Sequence, residues 1–191
     1  MARKTQINRE VILEAAFQML LKEGYSAINI TTLAKAIGCS TQPIAWHFGN
    51  MEGLRTALLE YSLDFLKNQF SVAGESVSDI LEGIASRYIE LAFDYPNLYK
   101  YFYMSDQDGA KMGQIAQNLR AENKHKIVRM LQEEYGLSSE KAEKYLLNLQ
   151  VYVHGIASFA VTQRSFSSKE MILETIHEAS ETFLAQGKAQ V

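Results

Sequence analysis

The chain has 191 residues, 47% hydrophobic and 21% charged, with a formal net charge of −3, enough for a substantial core in one sizeable domain or two unequal ones. The single cysteine, Cys39, excludes an internal disulfide framework and fits a reducing cytoplasm. No apolar stretch follows Met1 and no run approaches the ~18 apolar residues of a membrane span, so a cytosolic protein with no membrane partner is expected.

Charge is unevenly spread. Residues 1–56 hold six basic and four acidic side chains, a net of +2, and the remainder holds thirteen and eighteen, a net of −5. A mildly basic first part on an acidic body fits a nucleic-acid reader joined to something else. Only two prolines occur, Pro43 and Pro96, and strand-type alternation is nearly absent, which points to an all-α chain.

In chain order, residues 1–6 form a basic arm. Asn8 is placed to cap a first helix, with Ile7 and Ile12 at the spacing of a hydrophobic staple. Val11, Ile12, Ala15, Ala16, Met19 and Leu20 make its apolar stripe, and Gly24 ends it. Asn29 caps a second helix whose Leu33, Ala34 and Ile37 face inward. Gly38 turns the chain, Cys39 is a small buried apolar residue, and Ser40 caps a third helix. Pro43 falls in that helix's first turn, where a missing N–H costs little. Ile44 and Phe48 are four residues apart and anchor it, while Thr41, Gln42, Trp46 and His47 form a polar outer surface. A short polar helix held on an apolar tripod is how many proteins read the DNA major groove.

Asn50 is expected to cap a fourth helix over residues 51–70, with Leu54, Leu58, Tyr61, Phe65 and Leu66 on its apolar side. Residues 71–78 are the best boundary. Ile80, Leu81, Ile84, Tyr88, Leu91 and Ala92 then mark a helix ending before Pro96, and residues 97–104 a short aromatic one. A break at residues 105–109 leads into a helix from about 110 to 135, ended by Gly136. Ser138 or Ser139 opens the next, carrying Leu146, Leu147, Leu149, Val151, Val153, Ile156, Phe159 and Val161. Ser167 caps the last, with Ile172, Ile176, Ala179, Phe183 and Leu184. No repeat or low-complexity tract interrupts this order.

From Asn8 to Leu58 the sequence resembles, in register, the DNA-binding domain of the TetR family of bacterial regulators. The resemblance lies in Ala15-Ala16, Glu23-Gly24-Tyr25, Leu33-Ala34, Gly38, Ser40, His47-Phe48, and Glu52 with Leu54. It implies a three-helix helix-turn-helix domain over 1–50, helix 4 (51–70) as a connection, and a ligand-sensing and dimerising body over 71–191. The whole would be all-α, with about nine helices. Beyond Leu58 the likeness is of architecture, with a fainter match at residues 95–99 and 153–155.

By position, the resemblance places Thr41, Gln42 and Pro43 against bases. A Gln amide can bond adenine bidentately, and Thr or Pro carbons can touch thymine methyls. Ser40 opens the same helix, Trp46 and His47 fall near the backbone, and Asn50 follows them. Thr31 and the start of helix 2 match a phosphate contact, where free amides favour an anion. Two positions depart from the pattern. Ala45 stands where the family usually has Tyr and Met51 where it usually has Lys, which removes a hydroxyl donor and a cation from the phosphate grip. Arg3, Lys4, Lys35 and Arg55 are candidates to replace them.

In the body, a cluster of aromatics around residues 88–103 reads either as packing around a short helix or as a pocket wall. The expected wall is Phe65, Tyr88, Tyr99, Phe102 and Tyr103, with Tyr152 and Phe159 from a later helix. Tyrosine's apolar face and polar tip suit a flat or amphipathic ligand. His125, His154 and His177 lie far apart without a partner four residues away, so no metal site is expected, and His154 is the one most suggestive of function. The small residues Gly155, Ala157, Ser158 and Ala160 read as a dimer face. No phosphate loop, serine elbow or carboxylate pair appears, so no catalytic residue and no cofactor is expected.

Together these features imply a homodimer paired through its last two long helices, about 138–164 and 167–186. It would bind a near-palindromic double-stranded operator and be released by a small apolar or aromatic effector, as a repressor is, with helix 4 as the lever. Two alternatives stay open: a related scaffold with weakened or lost specific DNA binding, and an all-helical small-molecule or lipid-binding protein.

Overall fold

The computed structural model describes residues 7–69, 74–104, 124–163 and 168–189. Among these the chain is all-helical, with nine α-helices, one 3-10 turn and no strand. The basic arm, the break at 105–109, the start of the helix expected from 110, and Ser167 lie outside the described residues. The chain divides into two compact units, residues 1–71 and 72–191.

The first unit contains α1 (Arg9–Glu23), α2 (Ile30–Ile37), α3 (Gln42–Phe48) and α4 (Met51–Gln69). Asn8 caps α1 by accepting the Val11 N–H at 2.9 Å. The buried face of α1 is Ile12, Leu13, Ala16, Phe17 and Leu20, while Val11 is 48% exposed. The stripe is therefore rotated from the one the apolar spacing predicts. Phe17 sets it, packing its ring against Tyr61 at 5.3 Å and Phe65 at 4.9 Å on α4. The Tyr61 hydroxyl also donates to the Glu14 carboxylate, tying the two helices at their polar edge. That bond, more than the one from Gln18, holds Glu14 below the usual carboxylate range and lifts the Tyr61 phenol.

Asn29 makes a full capping box on α2 with Thr32, and Gly38 ends the helix in the left-handed conformation. Leu33, Ala34, Ile44, Leu54 and Leu58 complete the small core as expected, joined by Ala57 and Leu59. Cys39 is only half-buried.

The second unit contains α5 (Val77–Asp94), α6 (Pro96–Tyr103), α7 (residues 124–135), α8 (Ser139–Gln163) and α9 (Lys169–Ala189). Ser76 and Asp79 form a capping box on α5, Ser138 caps α8, and Ser168 caps α9. The core faces of α5, α8 and α9 meet through Leu81, Ala85, Ile89, Leu149, Val153, Ala157, Ile172 and Ile176, all buried. Polar ties fix the neighbours: Glu134 accepts the Val77 N–H at 3.0 Å, and the Tyr145 and Ser180 hydroxyls lie 2.6 Å apart. Three large apolar residues of α8 point outward: Leu147 is 59%, Val151 62% and Phe159 43% exposed.

Candidate nucleic-acid interface and body cavity

α3 is seven residues long and buries one of them fully, Ile44. Its anchor is thus a single aliphatic side chain, aided by half-buried Phe48, over whose ring the Arg9 guanidinium sits at 5.3 Å. Ser40, Thr41, Gln42, Ala45 and Trp46 are exposed and form one outward surface. Thr41, not Ser40, is the N-cap residue, and it makes no side-chain cap bond. Pro43 lies in the first turn, as its missing N–H favours.

Trp46 is 77% exposed, with its ring edge-on to His47 at 4.5 Å. His47 is turned the other way. Its Nε2–H donates to the Ile7 carbonyl at 3.1 Å, so the imidazole braces α3 against the entry to α1. Asn50 also has a local task, its Oδ1 accepting the Gly53 N–H at 3.0 Å to cap α4. The turn between α3 and α4 is so tight that a Cβ at Gly53 would collide with the Phe48 carbonyl oxygen.

At the start of α2, the amides of Thr31 and Thr32 both donate to Asn29 Oδ1, at 3.0 and 2.9 Å. Those two groups are already satisfied, which leaves the exposed Thr31 hydroxyl as the polar group at this edge. Arg55 is half-buried with its guanidinium 5.8 Å from the Tyr25 ring, whereas Lys35 is exposed. Among its described residues the first unit therefore carries a short, rigidly braced helix with a polar face. That is the layout of a helix-turn-helix DNA-binding module.

Residues 12–58 match the family described as bacterial regulatory proteins, tetR family. Over that segment the chain carries a DNA-binding domain of this family's type. An uncharacterised HTH-type transcriptional regulator of Bacillus subtilis, YobS, is 22% identical over 97% of this chain and 95% of its own. The crystal structure of a transcriptional regulator from Rhodococcus sp. Rha1 superposes with a TM-score of 0.75 at 16% identity, covering 97% of this chain and all of that one. MexZ, a key repressor responsible for antibiotic resistance in Pseudomonas aeruginosa, gives 0.69 at 17% identity over 92% and 94%. At these identities the two structural matches show the fold.

The expected aromatic wall separates into four places. Tyr88, Tyr99 and Tyr103 come together around His154, with ring centroids 5.0–6.3 Å apart. The Tyr88 hydroxyl lies 2.6 Å from His154 Nδ1, and that of the fully buried Tyr99 lies 2.9 Å from the Ser158 hydroxyl. Phe102 adjoins this cluster through Tyr103. Tyr152 instead packs edge-on to Phe183 of α9, and Phe159 is among the exposed residues of α8. Phe65 belongs to the first unit, against Phe17. The small-residue series also divides, since Ala157 and Ala160 are buried inside the unit while Gly155 faces open space.

A cavity of about 540 Å³ lies elsewhere, between α5, α8 and α9. None of the seven aromatics lines it. Periodicity hides such a groove, because its floor is ordinary core and its rim is ordinary surface. Among the described residues no helix is long and apolar enough to cross a membrane, and no group of His, Cys, Asp and Glu could hold a metal ion.

Proposed function

We propose that the protein is a cytoplasmic, homodimeric transcriptional repressor whose α3 reads an operator and whose body binds a small effector that releases it. The observation that carries the reading is the exposed surface of α3. Thr41, Gln42 and Trp46 point outward on a helix braced by Ile44, by the Gly53 turn and by His47. Gln42 and Thr41 supply base-edge contacts, Pro43 a thymine-methyl contact, and Ser40, Thr31 and Trp46 contacts to the backbone. His47 and Asn50 position the reader from behind. The repressor sense follows MexZ, a structural relative described as a repressor.

Dimerisation is through α8 and α9. Leu147, Val151 and Phe159 on α8 and Met171 on α9 are 43–62% exposed, and a second copy covers them. The effector enters beside Tyr88, Tyr99 and Tyr103, where aromatic faces and hydroxyls suit a flat amphipathic molecule. An effector works only through its differential affinity for the two states of the dimer, so it must favour one in which the recognition helices are wrongly spaced.

Selection of bound sequences from a random duplex pool tests the DNA reading. The expected product is a near-palindrome with half-sites about 34–36 Å apart, one helical turn. A pool that shows no enrichment at low salt would instead support a scaffold without specific DNA binding, a reading that Ala45, Met51 and the engaged Arg55 favour.

A further inference from the structure

The α5–α8–α9 groove has chemistry of its own. Its floor is apolar and buried: Leu81, Ala85, Leu149 and Ile176 are 4–8% exposed. Its rim carries the carboxylates of Asp79, Glu82 and Glu174 beside His177. Among the described residues no lysine or arginine lines it. Within the rim, Glu82 Oε1 accepts the Ser78 hydroxyl at 3.2 Å and lies 3.3 Å from His177 Nδ1.

We propose that this groove is a binding site for a small organic cation with an apolar body, its body on Leu81, Leu149 and Ile176 and its charge against Glu82 and Glu174. A volume of about 540 Å³ lies in the range of small-molecule sites. The rim carboxylates are exposed, the Glu82 side chain to 58%, so a neutral apolar ligand draws only on the floor. An anion would meet like charge. A cation gains from both the apolar floor and the acidic rim. The Ser76 N–H donates to the Asp79 carboxylate, which is held below the usual carboxylate range.

The site is separate from the tyrosine–histidine cluster, and its occupancy is read without DNA, so its failure leaves the repressor reading untouched. Calorimetry of the full chain with (4-phenylbutyl)trimethylammonium, 4-phenylbutan-1-ol and 4-phenylbutyrate tests it. The cation is expected to bind one site per chain, the alcohol roughly tenfold more weakly, and the carboxylate more weakly still. Glu82→Gln and Glu174→Gln should each weaken the cation by about tenfold with the thermal melt unchanged, while Tyr103→Leu leaves it alone. Should Glu82→Gln unfold the chain, Glu174→Gln, which touches only the rim, decides. Equal affinity for cation and alcohol, no binding of the cation, or indifference to loss of the carboxylates overturns the proposal.

Discussion

Gln42 sits at the first helical position of α3 with its side chain exposed, and its amide offers both a donor and an acceptor. Replacing it with Ala should cost about 1–3 kcal/mol on the preferred operator and leave non-specific binding nearly unchanged, as competition titrations on matched and scrambled duplexes would show. By the resemblance to the family, Met51 stands where a cation would add a phosphate contact. Met51→Lys should tighten binding to all duplexes alike and steepen the salt dependence by roughly one ion, measured as the slope of log affinity against log salt. A third residue acts through space alone. Gly53→Ala must push the Phe48 carbonyl aside, which moves the end of α3. It should lower the melting temperature and DNA affinity together, whereas Gln42→Ala lowers only the second. His47 and Asn50 show how far residue-level reading goes. Their types fit DNA contact, and each also has a structural partner, the Ile7 carbonyl for His47 and the Gly53 amide for Asn50. The Asn50 cap is legible from spacing, whereas the His47 bond, which spans forty residues, is not.

At the scale of elements, α1 and α4 are joined at the hydrogen bond between Glu14 and Tyr61. Glu14's folded value is depressed, so its contribution is present above the ordinary carboxylate range and is lost as pH falls through that folded value. Tyr61's is raised, so its share is present below the ordinary phenol range and is lost as pH rises through its folded value. Tyr61→Phe should therefore lower stability modestly between those limits and match the wild type in acid, which denaturant titrations at several pH values would check. The helices themselves were mostly legible. Asn8, Asn29, Asn50 and Ser138 cap where their side chains predict, and the α2 and α4 cores form from the expected leucines. What misled was facing. On α1, Phe17 outweighs Val11 because two aromatics of α4 receive it. On α8, apolar residues occur on every side of the helix, so spacing does not say which of them are buried within the unit.

For the whole molecule, the outward Leu147 and Val151 are the strongest reason to expect two copies. Val151→Glu should leave a folded monomer by analytical ultracentrifugation and weaken operator binding, because a lone half-site loses its partner. The aromatic grouping of the body was only partly legible. Tyr88, Tyr99 and Tyr103 do converge, and His154 joins them, but the groove between α5, α8 and α9 needed three helices placed together before it could be seen. The central claim is that α3 of a dimer reads a specific duplex. Fluorescence anisotropy with the DNA upstream of the protein's own gene, against a scrambled duplex at the same salt, measures it most directly. The expected result is two chains per site and a clear preference for the upstream sequence that Gln42→Ala abolishes. Equal affinity for both duplexes would contradict it.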